Sequence, residues 1–213
     1  MKTIDLFKRI IIAALLFCSA MSVFAQTKPS PLKAQNTVFY ELLNQSDLQF
    51  TYPAGFKEIP AVNDEDFSFD FAMELPGKGF ECWFEVKSQK QNWISYQQNQ
   101  YNKNTRLANP DSMYMAMGKA YAIALTGDDN FMTRNMPPEV LTRYNADAGK
   151  SYLLNLLDLP DTKHYKYALL ICLQKNHTGT LVAIYFTNQK DPEFYQEVYR
   201  ASHSLRFKAT ANN

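Results

Sequence analysis

"FSFDFAMELPGKGFECWFEVKS", residues 67–88, decides what kind of sheet this chain builds. Phe67, Phe69, Phe71 and Met73 alternate with smaller or polar neighbours, so an extended strand puts them on one side. Pro76 to Gly79 turns the chain, after which Phe80, Cys82, Phe84 and Val86 alternate with Glu81, Trp83 and Glu85. Two alternating runs joined by a short Gly-containing link predict an antiparallel hairpin. Glu81, Trp83 and Glu85 are expected on its outer face, in water.

Upstream, "LQFTYPAGFKEIP", residues 48–60, alternates Leu48, Phe50 and Tyr52 with polar residues and stops at Pro53 and Gly55, which reads as a half-buried strand ending in a turn. Downstream the pattern changes. Residues 92–105 bring Trp93, Ile94, Tyr96 and Tyr101 towards one side of a helix. Residues 111–127, "DSMYMAMGKAYAIALTG", are apolar almost all round, open on an Asp or Ser cap and end at Gly127. Either a helix or a strand fits such a run, and Ala, Met and Leu with few β-branched residues favour helix. A short helix starting at a proline follows within 137–146. Strand patterns return at 150–157, 165–174 and 179–188, the last two joined by "KNHTG". The chain closes on "DPEFYQEVYRASHSLRF", where Asp191 caps, Pro192 takes the first helical position and Phe194, Val198, Ala201 and Leu205 recur at helical spacing, with Glu193, Gln196, Glu197 and Arg200 opposite. Strands, helices, strands and a closing helix predict an α+β fold: a mostly antiparallel sheet with helices packed against it.

A strand carrying "FTYPAGF" (residues 50–56), the hairpin after it, a helical middle, a second meander and a helix ending "SLRF" (204–207) together resemble the PsbP-like superfamily, over roughly residues 38–208. The resemblance implies an αβα sandwich around an antiparallel sheet and a binding or accessory role. It carries no catalytic or ligand residue over to this chain, since a shared fold does not transfer a site. "YNADAG", residues 144–149, is similar to a segment of exported proteins from Bacteroides-type bacteria, a likeness without a function attached.

The first 25 residues set the expected compartment. Lys2, Lys8 and Arg9 precede an apolar stretch from Ile10 to Phe17, and small residues follow at Val23 and Ala25. This is the layout of a secretory signal peptide cleaved between Ala25 and Gln26, too short to cross a bilayer as an anchor. Phe17, large and directly before Cys18, argues against lipid attachment there. Export to the periplasm or beyond is the expectation. Residues 26–36 read as a flexible lead, 37–208 as one α+β domain and 209–213 as a tail. Removing residues 1–25 takes three basic and one acidic residue from 22 and 21, leaving 19 against 20. A near-neutral chain without a Lys/Arg cluster is a poor polyanion binder, so no nucleic acid is expected as a partner. Cys82 and Cys172, both inside apolar runs, are read as two buried thiols or a disulfide.

Candidate chemistry is thin, and the sequence assigns no catalytic, cofactor-binding or metal residue. His164, His177 and His203 lack metal-ligand spacing. Met113, Met115 and Met117, with Met132 and Met136, could offer thioethers to cuprous ion, but on a helix Met115 leaves the face shared by Met113 and Met117, so packing is the favoured role. The acidic run at 63–67 lacks the spaced oxygens and glycine of a calcium loop. Glu81 and Glu85 flank Trp83, an arrangement that could bind or hydrolyse a sugar, but the outer face of a hairpin is the favoured reading; the alternative function is a secreted hydrolase whose carboxylate site is not visible in the sequence. No G-x-S-x-G, H-E-x-x-H or Gly-rich phosphate loop occurs. Tyr96, Tyr101, Tyr195 and Tyr199, beside polar helical faces, suit a contact surface. The expected function is an exported, non-enzymatic binding or accessory protein for a protein or small-ligand partner, with no cofactor.

Overall fold

A computed structural model describes residues 30–65, 67–102 and 107–209. The expected signal segment, its cleavage site, Cys18 and residues 210–213 of the expected tail lie outside the described residues. The fold is α+β. Seven strands form one antiparallel sheet in the order β2-β3-β4-β8-β7-β6-β5: β2 (Lys57–Ile59), β3 (Phe71–Leu75), β4 (Phe80–Ser88), β5 (Met132–Asn135), β6 (Ala148–Asn155), β7 (Tyr167–Lys175) and β8 (Gly179–Thr187). The hairpin read from 67–88 is β3–β4, closing with Leu75 opposite Phe80. The two strand groups of the sequence join where β4 pairs β8 from Phe80↔Thr187 to Ser88↔Gly179.

Every residue of β8 is buried, because helices cover both faces of the sheet. Side-chain alternation divides the core accordingly. Leu181, Ala183 and Tyr185 meet Phe80, Cys82, Phe84, Ile171 and Leu173 on one face. There α1 (Pro31–Gln45) contributes Phe39 and Leu43, α4 (Pro138–Tyr144) contributes Tyr144, and α5 (Pro192–Ser202) contributes Phe194, Val198 and Ala201. Val182, Ile184 and Phe186 meet Trp83, Leu170 and Cys172 on the other face, under Tyr114, Ala122 and Leu125 of α3 (Met113–Thr126). Burying each large side chain of this kind contributes roughly 1.5–3 kcal/mol.

The α5 reading holds at its start, with Asp191 Oδ1 accepting from Phe194 N at 2.9 Å. Glu197, read as facing water, is instead buried and held by Arg200 at 2.8 Å. α3 is a helix that ends as expected, Gly127 taking the left-handed conformation. Its N-cap is Ser112, whose side chain makes no capping bond, while the Asp111 carboxylate accepts from His177 N at 2.7 Å and ties the β7–β8 hairpin tip to the helix start.

Three readings are corrected. First, α1 begins at Pro31, inside the stretch expected to be a flexible lead. Phe39 and Leu43 anchor it in the core, and Gln35 bonds the edge at β2 by donating to Glu58 Oε1 and Ile59 O and accepting from Ala61 N. Second, Phe67 and Phe69 do not share a side with Phe71 and Met73. The chain bends at Asp70, whose backbone N–H donates to Phe84 O and whose Oδ2 accepts from Val86 N at 2.7 Å, so the two phenylalanines before the bend join the α3 side. Third, the helix expected over 92–105 is α2 (Lys90–Asn99), so Tyr101 lies past its end; Ile94 and Tyr101 are exposed, and Trp93 stacks on His177 with ring centroids 3.7 Å apart.

The opening strand and the "SLRF" ending belong together. β1 (Leu48–Phe50) pairs β9 (Leu205–Phe207) in a separate two-stranded sheet, Leu48 opposite Phe207. The "YPAGF" turn between β1 and β2 needs Gly55, at φ +85°, and is clamped by Arg200, which donates to Ala54 O at 2.8 Å. In "YNADAG", Asn145 ends α4 in the left-handed region and its side-chain amide donates to Lys208 O at 2.7 Å, while Asp147 accepts from Asn176 N. Both motifs are accounted for by chain geometry.

Candidate functional site

Glu81, Trp83 and Glu85 face α3, and all three are buried. The expectation of an outer hairpin face fails because β4 is a central strand covered on both sides. What makes the burial tolerable is a partner for each carboxylate. Glu81 accepts from Lys163 Nζ at 2.7 Å and from Trp83 Nε1 at 3.1 Å, with the Tyr165 hydroxyl at 3.4 Å. Glu85 accepts from the Tyr121 hydroxyl at 2.9 Å and pairs with Lys87 Nζ at 2.7 Å. Burial, reinforced by the adjacent carboxylates, pushes both tyrosine hydroxyls up, which keeps them neutral donors. Asp70, near Glu85, is raised to about 6, first by burial and then by the Glu85 charge, against the opposing bond from Val86 N–H and the Lys87 charge.

Each carboxylate of this row is engaged by partners of its own. Four residues along a strand separate the backbones of Glu81 and Glu85 by about 13 Å, with Trp83 between them. Asp70 spends its oxygen on the strand ladder. The groove reached by Glu85, about 290 Å³, is lined also by Phe67, Lys87, Ala120 and Tyr121. Among the described residues no group of three His, Cys, Asp or Glu side chains is placed to hold a metal ion.

The remaining candidates are scattered. His164 pairs with Asp158 at 2.6 Å, both exposed. His177 lies against Asp111 and Trp93, and His203 Nδ1 donates to Tyr199 O at 2.6 Å. Asp64 of the acidic run accepts from Phe67 N and closes a turn. Cys82 and Cys172 are free thiols on opposite faces of the sheet, which excludes a bond between them, and burial pushes both well up from the usual thiol range. The methionines do not converge. Met117 packs against the α3-side core, Met136 against the opposite core, and Met132 lines a groove with Tyr195 on the α5 side.

Met113 and Met115 also depart from expectation: they are exposed, at 37% and 40%. Their exposure reveals the feature that the sequence pattern had concealed. α3 turns Tyr114, Gly118, Ala122 and Leu125 to the sheet, close enough that a Cβ on Gly118 would sit 2.7 Å from Tyr152. Met113, Met115, Ala116, Ala120, Ile123 and Ala124 point out, with Lys119 the one charge of the helix. An outer helix face in water normally carries charged and polar residues. This one is apolar apart from Lys119, and its signal in the sequence is the run hydrophobic all round. The four tyrosines singled out lie elsewhere, Tyr96 on α2, Tyr101 just past its end, and Tyr195 and Tyr199 on α5. No protein-family model and no curated protein matches this chain.

Proposed function

We propose that this is an exported, non-enzymatic binding or accessory protein of the PsbP-like kind, which engages a protein partner through the outer face of α3. The single observation that carries the reading is that face: a fourteen-residue helix with one charge, half of it facing solvent. Contiguous apolar surface of this type marks interaction sites. Exposed Met adapts to varied partner shapes, and the alanines at 116, 120 and 124 let another backbone approach closely. A sheet with helices on both faces agrees with the resemblance in the sequence, and among the described residues no helix is long and apolar enough to cross a membrane. The expected leader would deliver the chain to the periplasm or the exterior.

A photo-crosslinking residue at Ala120, compared with one at Gln196 on α5, tests the assignment in cells producing the full chain. Adducts at position 120, absent at 196 and removed by Ile123→Glu, are the expected result. Equal labelling at the two positions, or none, overturns it. An intact mass of the exported protein that begins at Gln26 tests the leader in the same preparation.

A further inference from the structure

On the opposite side of the molecule, β1, α4, α5 and β9 enclose a groove of about 450 Å³ lined by Gln49, Thr51, Thr142, Arg143, Ser202, His203, Ser204, Leu205 and Arg206. Two guanidinium groups and an imidazole line it, and no carboxylate does. Elsewhere in this near-neutral chain, cations such as Lys78, Lys163, Lys175 and Arg200 have acidic partners. Arg143 has none within ion-pair distance among the described residues: its Nε is buried without a hydrogen-bond partner, and its guanidinium lies 5.2 Å from the Tyr199 ring centroid and 5.7 Å from that of Tyr144. Cation–π attraction to these rings holds the charge without consuming an N–H donor.

Arg206 is held in a different way. With the Gln49 amide oriented by its hydrogen bonds, the side-chain oxygen accepts from Arg206 Nε and Nη2, a neutral partner that leaves the Arg206 charge uncompensated. The neighbouring hydroxyls are already oriented: Ser202 donates to Tyr199 O, Ser204 to Ala201 O and Thr142 to Pro138 O. Carbonyls at the ends of α4 and α5 are capped by Asn145 N and His203 N, so these helix ends do not supply acceptors for the two arginines.

From this convergence of guanidinium groups without a counter-charge we infer that the groove is an oxyanion-binding site, built for a carboxylate- or phosphate-bearing small ligand gripped between Arg143 and Arg206. Planar guanidinium forks match both groups, which is why arginine is used for such recognition. The site is independent of the α3 reading, since it lies on the other face of the sheet and uses other residues.

The test is an amide-resolved NMR titration of the full exported chain with inorganic phosphate and, separately, succinate, at constant ionic strength with chloride as the reference anion. Saturable shifts confined to Gln49, Thr51, Arg143 and residues 203–206 are expected at millimolar ligand, and the tighter of the two anions identifies the source of the charge. Arg206→Gln, on an exposed strand position, is expected to weaken binding about tenfold or more, the scale of one lost charge-assisted contact. Arg143→Lys keeps the charge and loses the fork, and is expected to weaken it by a similar factor with the spectrum otherwise unchanged. Linear shifts spread over surface lysines, or saturable binding that survives both substitutions, overturns the site.

Discussion

α3 and α5 cover opposite faces of one sheet and solve the same problem differently. α5 buries Phe194, Val198 and Ala201 and shows Glu193, Gln196 and Arg200 to water, so its chemistry changes where its surroundings change. α3 buries Tyr114, Ala122 and Leu125 and then continues apolar into solvent. Stability of the domain explains α5 apart from its exposed Tyr195 and Tyr199, and only half of α3. The difference teaches that excess hydrophobicity, beyond what the core consumes, is the part of this fold that speaks about function.

The comparison can be broken first at Gly118. A valine there drives its Cβ to within 2.8 Å of Cys172 Sγ and adds a β-branch to a helix, and is expected to cost about 3 kcal/mol in urea unfolding. A loss well below 1 kcal/mol would mean that α3 is a loosely held cover, without the tight seating described for it.

Asp70→Asn sharpens the comparison on the α3 side, where the buried carboxylates lie. Asp70 is raised to about 6 from 3.8, so the folded state holds its proton more tightly than the unfolded chain does. Its contribution is therefore most favourable below pH 4 and falls as pH rises to 6. Asn keeps an oxygen for Val86 N–H without the charge, and should raise stability above pH 6 by about 1–2 kcal/mol after allowing for solvent screening. The wild-type minus variant difference should flatten below pH 4. A variant less stable at pH 8 would show that the charge is needed there.

Next in size, Asp191→Ala removes the α5 cap and is expected to cost about 1 kcal/mol. Smallest is Ile123→Glu, which should leave stability within about 0.5 kcal/mol while abolishing partner contact. A large loss of stability would place Ile123 in the core after all.

Much of the architecture was legible because it depends on local rules: the β3–β4 hairpin from its alternation and turn, α5 from its cap, proline and spacing, the end of α3 from Gly127. What escaped depended on distant partners. α1 carries Phe39, Leu42 and Leu43 at helical spacing, but the prolines and polar residues before them masked the start. Glu81 and Glu85 looked solvated because a strand covered on both faces usually reads as an unbroken apolar run, as β8 does. Their burial depends on Lys163, Tyr165 and Tyr121, more than 30 residues away. The bend at Asp70 was hidden for the same reason, since its bonds go across to β4. Of the candidate sites, the apolar character of α3 was visible and its exposure was not. The arginine groove was invisible, because Arg143 and Arg206 meet only through the β1–β9 pair and the ends of two helices.

That small pair has a mechanical consequence. Leu48, where β1 begins, sits opposite Phe207, where β9 ends, so both strands leave the ladder at the same end. Tension applied between Leu48 and Phe207 would load this ladder in peeling, one bridge after another, rather than shearing all of them at once. A pull on the chain beyond Phe207 would thus meet a soft joint first, whereas on the other side α1, anchored by Phe39 and Leu43, stands before Leu48 and takes the load.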